Sequence, residues 1–311
     1  MATAVAFAHL LLFLVLVSPV ACYSASPSYR CDWCAPRSTA SLLPPDAADA
    51  TLTGAACGYG GPAAVADELA DAGFHIAVVS AGFFRRGRVC GACYQLRCRG
   101  RRSACAEGGV KVVVVADVPE TNSTGGGGRF MLNNDAFAAL TTAGDGGQLA
   151  SSVDAAIDVD FRRIPCAYKG KNLAVRVEET SSRDKGHLAV RFLYQGGQTD
   201  IVAVEVARAE IPGATTQSAA TPSPTTWQYM TRREGAPGVW RTSRAPAGPL
   251  RLRLVVTAGS GGKWLRTEGV VLPVEWLAGA VYDTGLRVTD VAASTCGGAS
   301  CSASGNDDDE E

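Results

Sequence analysis

A chain of 311 residues with 29 basic and 30 acidic side chains carries a formal charge of −1, which gives no basis for a polyanionic partner such as nucleic acid. Eleven cysteines in one chain point to an oxidising compartment and away from the cytosol. The length allows two domains of ordinary size.

In chain order, Met1 to Ala21 holds no Lys, Arg, Asp or Glu, and Leu10 to Val17 is a short apolar core. Ser18-Pro19-Val20-Ala21 closes it with a small residue, so the segment predicts a secretory signal cut near Ala21. The alternative is a membrane anchor; the apolar stretch is only just long enough to span a bilayer, and Pro19 ends it. Cys22 lies at the predicted cut, leaving ten cysteines, an even set. A helix is expected over Pro62 to Gly73, with Val65 and Leu69 on one face. The cysteines concentrate in Cys57-Gly58-Tyr59, in Cys90-Gly91-Ala92-Cys93-Tyr94-Gln95-Leu96-Arg97-Cys98, and at Cys105 and Cys166. Cys31-x-x-Cys34 with Cys90-x-x-Cys93 mimics a zinc hook, but the gap is long and the compartment oxidising, which favours disulfides.

Val110 to Val115 predicts a strand that runs into Ala116-Asp117. Asn122-Ser123-Thr124 is a glycosylation sequon in a Gly-rich loop, and Asn134 to Leu140 predicts a short helix. Ala155 to Ile164 alternates Ile157, Val159 and Phe161 with Asp158, Asp160 and Arg162, the pattern of a half-buried strand. Composition changes near Cys166 to Gly170, the expected domain boundary. Beyond it, Leu173 to Glu178, Leu188 to Tyr194, Ile201 to Val206, Leu250 to Val256 and Leu286 to Val291 alternate in the same way, which predicts an antiparallel β-sandwich. Ala214 to Thr226 reads as a Thr/Ser/Ala/Pro-rich loop within it, and Asp307 to Glu311 as a solvated acidic tail.

Several of these segments resemble, in order, the plant expansin superfamily and its expansin-like A branch. They are Cys31-Asp32-Trp33-Cys34, Ala56-Cys57-Gly58-Tyr59, Cys90 to Gln95, Pro165-Cys166, Asn172 to Glu179, Tyr194 to Thr199 and Trp227-Gln228-Tyr229-Met230. The resemblance covers nearly all the mature chain. It implies a mainly β protein: a six-stranded double-psi β-barrel related to family-45 glycosidases, then an immunoglobulin-like β-sandwich. The expected layout is a signal peptide (1–21), barrel domain (30–166), linker (167–171), carbohydrate-binding sandwich (172–291) and a Cys-containing acidic tail (292–311). The resemblance also implies bridges Cys57–Cys90, Cys93–Cys166 and Cys98–Cys105, with Cys31, Cys34, Cys296 and Cys301 left as candidates for further ones.

An inverting glycosidase needs two carboxyl groups across the sugar, an acid and a base. Where the related hydrolases and most expansins have His-Phe-Asp, this chain has Arg129-Phe130-Met131, and a thioether donates no proton. The aromatic groove segment of ordinary expansins has Ala40-Ser41-Leu42 in its place, and the second family acid falls near Leu52. Asp117 stays as a groove carboxylate, or as a strand-end acid bonded to backbone; Asp135 is a displaced alternative. Tyr59, Phe130, His187, Tyr229 and Trp264 complete the candidate polysaccharide groove. His187 and Glu234 stand where the family has aromatic residues, Trp227, Trp240 and Trp276 are expected in the core, and Arg176, Arg191, Arg251 and Arg253 on a solvated strand face, with contact to acidic pectin as the alternative. The resulting expectation is a secreted, extracellular plant cell-wall protein, monomeric, without cofactor, metal or membrane attachment after signal cleavage, and glycosylated at Asn122. It binds cellulose, xyloglucan, xylan or pectin, and loosens or remodels the wall without hydrolysis. The alternatives are a weak β-glucan hydrolase and a binding module with no loosening activity.

Overall fold

Valine-rich and alternating segments supply the strands, and strands dominate the structure. The computed structural model describes residues 37–43, 57, 73–99, 105–118, 130–141, 156–166, 168, 170–196, 199–210, 225–258 and 261–288. The expected signal segment, the helix at 62–73 apart from Gly73, Tyr59, Asn122, Cys31, Cys34, Cys296 and Cys301 lie outside the described residues. Among the described residues no helix is long and apolar enough to cross a membrane.

Six strands close a barrel: β1 (Arg37–Leu42), β2 (Phe74–Ser80), β3 (Cys93–Cys98), β4 (Val110–Val118), β5 (Phe130–Leu132) and β6 (Ile157–Ile164). Their order is β1-β5-β2-β4-β3-β6. The β1–β5 and β2–β4 pairs are parallel and the rest antiparallel, which agrees with the expected six-stranded barrel. Strand β4 is nearly all valine because both its faces are covered; Val112 to Val115 are fully enclosed. Strand β6 keeps the alternation seen in the sequence, with Ile157, Val159 and Phe161 inward. Phe83, Tyr94, Phe130 and Phe161 converge inside the barrel, every pair of rings 5.0–5.9 Å apart and mostly edge to face. Phe83 comes from the single turn α1 (Ala81–Phe84) that follows β2.

The second helix, α2 (Asn134–Leu140), has the bounds expected from sequence. The Asn133 side chain caps it by accepting a bond from the Ala136 N–H at 3.1 Å, and Ala136, Phe137 and Leu140 form its buried face. The three expected disulfides are present: Cys57–Cys90, Cys93–Cys166 and Cys98–Cys105, with Cα separations of 5.2, 5.5 and 5.4 Å. Cys90 and Cys93 are therefore spoken for, and the zinc-hook alternative falls.

Eight antiparallel strands follow: β7 (Ala174–Val177), β8 (Leu188–Leu193), β9 (Asp200–Arg208), β10 (Gln228–Arg233), β11 (Ala236–Thr242), β12 (Leu250–Ala258), β13 (Gly261–Arg266) and β14 (Val281–Asp283). They form one sheet in the order β13-β12-β9-β10-β11-β8-β7-β14. The sheet curls at β10: Gln228–Met230 pair with β9, while Thr231–Arg233 pair with β11 across a register shift. Each half contributes to one apolar core, with Val175, Val190 and Phe192 on one side and Val204, Leu252 and Leu254 on the other. The strand expected at Leu286 to Val291 is not one over its described part, Leu286 to Val288. The free edge of β7 is taken instead by β14, while Leu286 accepts a backbone bond from Leu173 at 2.8 Å and donates to the Thr284 hydroxyl at 3.2 Å.

An ion cluster joins barrel to sheet. Asp200, at the start of β9, accepts from Arg163 of β6 at 2.6 Å and from Arg85 at 2.8 Å. Arg163 and Asp200 side chains are each 7% exposed, Arg85 49%. Arg163 also donates to the Thr199 carbonyl at 3.1 Å, and the Cys166 N–H donates to the Gly196 carbonyl at 2.9 Å. Gly87, at φ +82°, sits directly against Pro237.

Candidate functional site

On the barrel, β2 lies between β5 and β4 and so separates the two positions of interest. Met131 pairs with Val78 and, on its other side, with Ser41; Asp117 pairs with Val79. Asp117 is half-buried near the end of β4. Burial raises its pKa above the ordinary carboxylate value, and a bond from its own backbone N–H acts in the opposite sense. Neither β1, β2 nor β5 carries any Asp or Glu. Asp135 is exposed in the first turn of α2.

Phe130 is 0% exposed and belongs to the four-ring cluster, which corrects its expected place in a groove. Phe130 and Leu132 point inward while Met131 between them is only half-buried, so the strand's own alternation forbids Phe130 and Met131 from facing one ligand.

On the curled sheet, Tyr229 of β10 is 64% exposed and Trp264 of β13 is 54% exposed. Register places Tyr229, Glu205, Arg253 and Arg266 in one row across β10, β9, β12 and β13, with Trp264 opposite Val255 on the same outer face. His187 is half-buried before β8, bridged to Ser182, and belongs to the other half of the sheet. Glu234 is exposed in the turn between β10 and β11.

Residues 173–272 match the Expansin C-terminal domain family. Expansin-like A4 of Oryza sativa subsp. japonica is 55% identical over 318 residues, covering 99% of this chain and 94% of its own length. The chain belongs to the expansin-like A branch of the expansin superfamily. Expansin-like A2 of Arabidopsis thaliana is 37% identical, over 91% of the chain and 95% of its own length. Among solved structures, the apo expansin of Clavibacter michiganensis aligns with a TM-score of 0.50 at 21% identity, covering 81% of this chain and 96% of that one. A mutant of that expansin, solved with cellohexaose, aligns at 0.51 and 20%. These two share the fold.

Within this expansin-like chain the large aromatics divide differently from expectation. Trp240 and Trp276 are buried in the sheet core, but Trp227 is only half-buried, which corrects its expected place. It lies in phase with Tyr229, two residues on, while Met230 points to the core. Guanidinium groups cover it instead: Arg253, Arg251 and Arg266 lie 4.4, 5.5 and 5.6 Å from its ring centroid. Arg251 is buried and bonded to Thr225 and Glu210, so it is not a solvated side chain; Arg191 pairs with Glu178, and Arg176 with Glu179. The i, i+2 spacing of Trp227 and Tyr229, out of phase with the core residue Met230, is the signal that places Trp227 outward.

Proposed function

We propose that this expansin-like A chain is an exported cell-wall protein that binds polysaccharide and does not hydrolyse it. One observation carries the reading: Asp117 is the only carboxylate on the four strands β1, β5, β2 and β4; the family resemblance, which puts Met131 at the acid position of the related hydrolases, supports it. A positioned proton donor contributes about 10²–10⁴-fold to such a reaction, and a lone carboxyl cannot serve as both acid and base on opposite faces of a sugar. Binding rests on the exposed side chains Tyr229 and Trp264, on His187 and on Asp117, with Tyr59 kept as a candidate from sequence. The cellohexaose complex of the bacterial expansin supports a glycan ligand. In the wall, protein–glycan contacts then compete with glycan–glycan hydrogen bonds, and remodelling proceeds with no covalent bond cut.

The raised pKa of Asp117 is what a residual proton donor would have, so one experiment addresses both readings. The purified protein is incubated with soluble β-glucans while new reducing ends are counted, and in parallel pulled down on cellulose, xyloglucan, xylan and pectin. Retention on at least one polymer without new ends is expected. Steady release of ends that stops in Asp117→Asn overturns the non-hydrolytic reading.

A further inference from the structure

The outer face of β12 and β13 holds a cation between two indoles. Arg253 Cζ lies 4.4 Å from the Trp227 ring centroid and 4.7 Å from that of Trp264. The Nε of Arg253 donates to Glu205 Oε2, and Glu205 is 1% exposed beneath the row. Among the described residues that is the only polar partner of Arg253, so its two Nη groups keep their donors at a side chain 30% exposed. Arg266, in the same cross-strand row, has no carboxylate within salt-bridge distance among the described residues. Tyr229, beside Glu205 in that row, adds a second exposed ring to Trp264.

Three features of this face act together. Flat aromatic surfaces suit the faces of pyranose rings. A guanidinium stacked between two indoles and tied at Nε has little rotamer freedom left to lose, and its Nη pair is a fixed fork that matches a carboxylate. The charges are unequal: Arg251, Arg253 and Arg266 stand against Glu205 and Glu210, three to two. A neutral glucan would use the rings and leave the fork unpaired; a uronate uses both.

We infer that this face is a site for an acidic glycan, whose uronate carboxylate takes the two Nη groups of Arg253 and whose rings lie against Trp264 and Tyr229. The inference rests on the polysaccharide-binding reading above and adds to it the class of polymer and the place. It lies on the half of the sheet that does not carry His187.

The test is calorimetric titration of the purified protein with an oligogalacturonate and, as the neutral probe, with a cello-oligosaccharide. Trp264→Ala removes an exposed ring and opens no cavity, so it folds; Arg253→Lys keeps a charge above Glu205 but loses the fork. The wild type is expected to bind the oligogalacturonate, more weakly as salt is raised. Trp264→Ala should weaken that binding about two- to tenfold and Arg253→Lys about tenfold; only Arg253→Lys, which removes the fork and keeps the rings, should leave any cello-oligosaccharide binding unchanged. Wild-type binding to the neutral probe alone overturns the inference and leaves the polysaccharide-binding reading standing. Binding to neither probe nor to any wall polymer overturns both. Oligogalacturonate binding that both variants retain in full refutes the placement, and equal loss of both ligands in Arg253→Lys refutes the selectivity for uronate.

Discussion

Replacing Asp200 by Asn should unlatch the barrel from the sheet. The carboxylate holds two guanidinium groups that differ in surroundings. Arg163 is 7% exposed, and removing one partner of a buried ion pair costs about 3–5 kcal/mol. Arg85 is 49% exposed, and losing that pair costs about 0–1 kcal/mol. Asp200→Asn is therefore expected to cost roughly 3–6 kcal/mol, a large part of the roughly 5–15 kcal/mol of a whole domain. Arg85→Gln should cost no more than about 1 kcal/mol. Urea unfolding at neutral pH measures both. Calorimetry adds a signature: because Asp200 lies on β9 and its partners on the barrel side, a single transition in the wild type should separate into two in Asp200→Asn. Should Asp200→Asn cost under about 1 kcal/mol, or Arg85→Gln cost as much as Asp200→Asn, burial is not what sets the strength of this cluster.

Gly87→Ala should destabilise by a backbone cost of about 1–2 kcal/mol and a clash cost of about 1–3 kcal/mol, because a Cβ there would lie 2.7 Å from Pro237 at φ +82°. Gly73→Ala, at φ +75° with no atom within 4 Å of the new Cβ, should show the backbone cost alone, and equal losses in unfolding experiments would discount the clash. Asp117 has a folded pKa raised by burial, so its favourable contribution is complete below the unfolded value near 3.8 and is lost as pH rises through the folded one. Relative to Asp117→Asn, the wild type should lose stability over that interval, and parallel urea midpoints for the two proteins across it would contradict the assignment.

Alternation made much of this fold legible from sequence. Strands β6, β7, β8, β9 and β12 each bury one regular set of apolar residues, β4 is an apolar run covered on both faces, and α2 follows a capping Asn. Strands such as β1 (RSTASL) and β11 (APGVWRT) have no such period; neighbours on both sides impose their extension, so the signal lies in their partners. The disulfide pairing came with the family resemblance, because spacing alone leaves the connectivity open. For the site, the placing of Met131 at the family's acid position came with the resemblance, and the structure adds that β1, β2 and β5 carry no Asp or Glu. The outward place of Trp227 could not be read from its type, since large aromatics are usually buried; its parity with Tyr229 carried the signal, and the guanidiniums that cover it come from β12, a strand remote in sequence. Phe130 misled for the converse reason: a motif position was carried over without the parity of its strand.

The division of β10 between the two halves has a mechanical consequence. Three residue pairs fasten it on one side and three on the other, and the second set is interrupted by the shift at Arg232/Arg233. A polymer under tension that tugs on the outer edge loads every rung in series until the strain reaches this short shared seam. The sheet should yield there first, opening like a clamshell and baring Val204, Met230 and Trp240 to water.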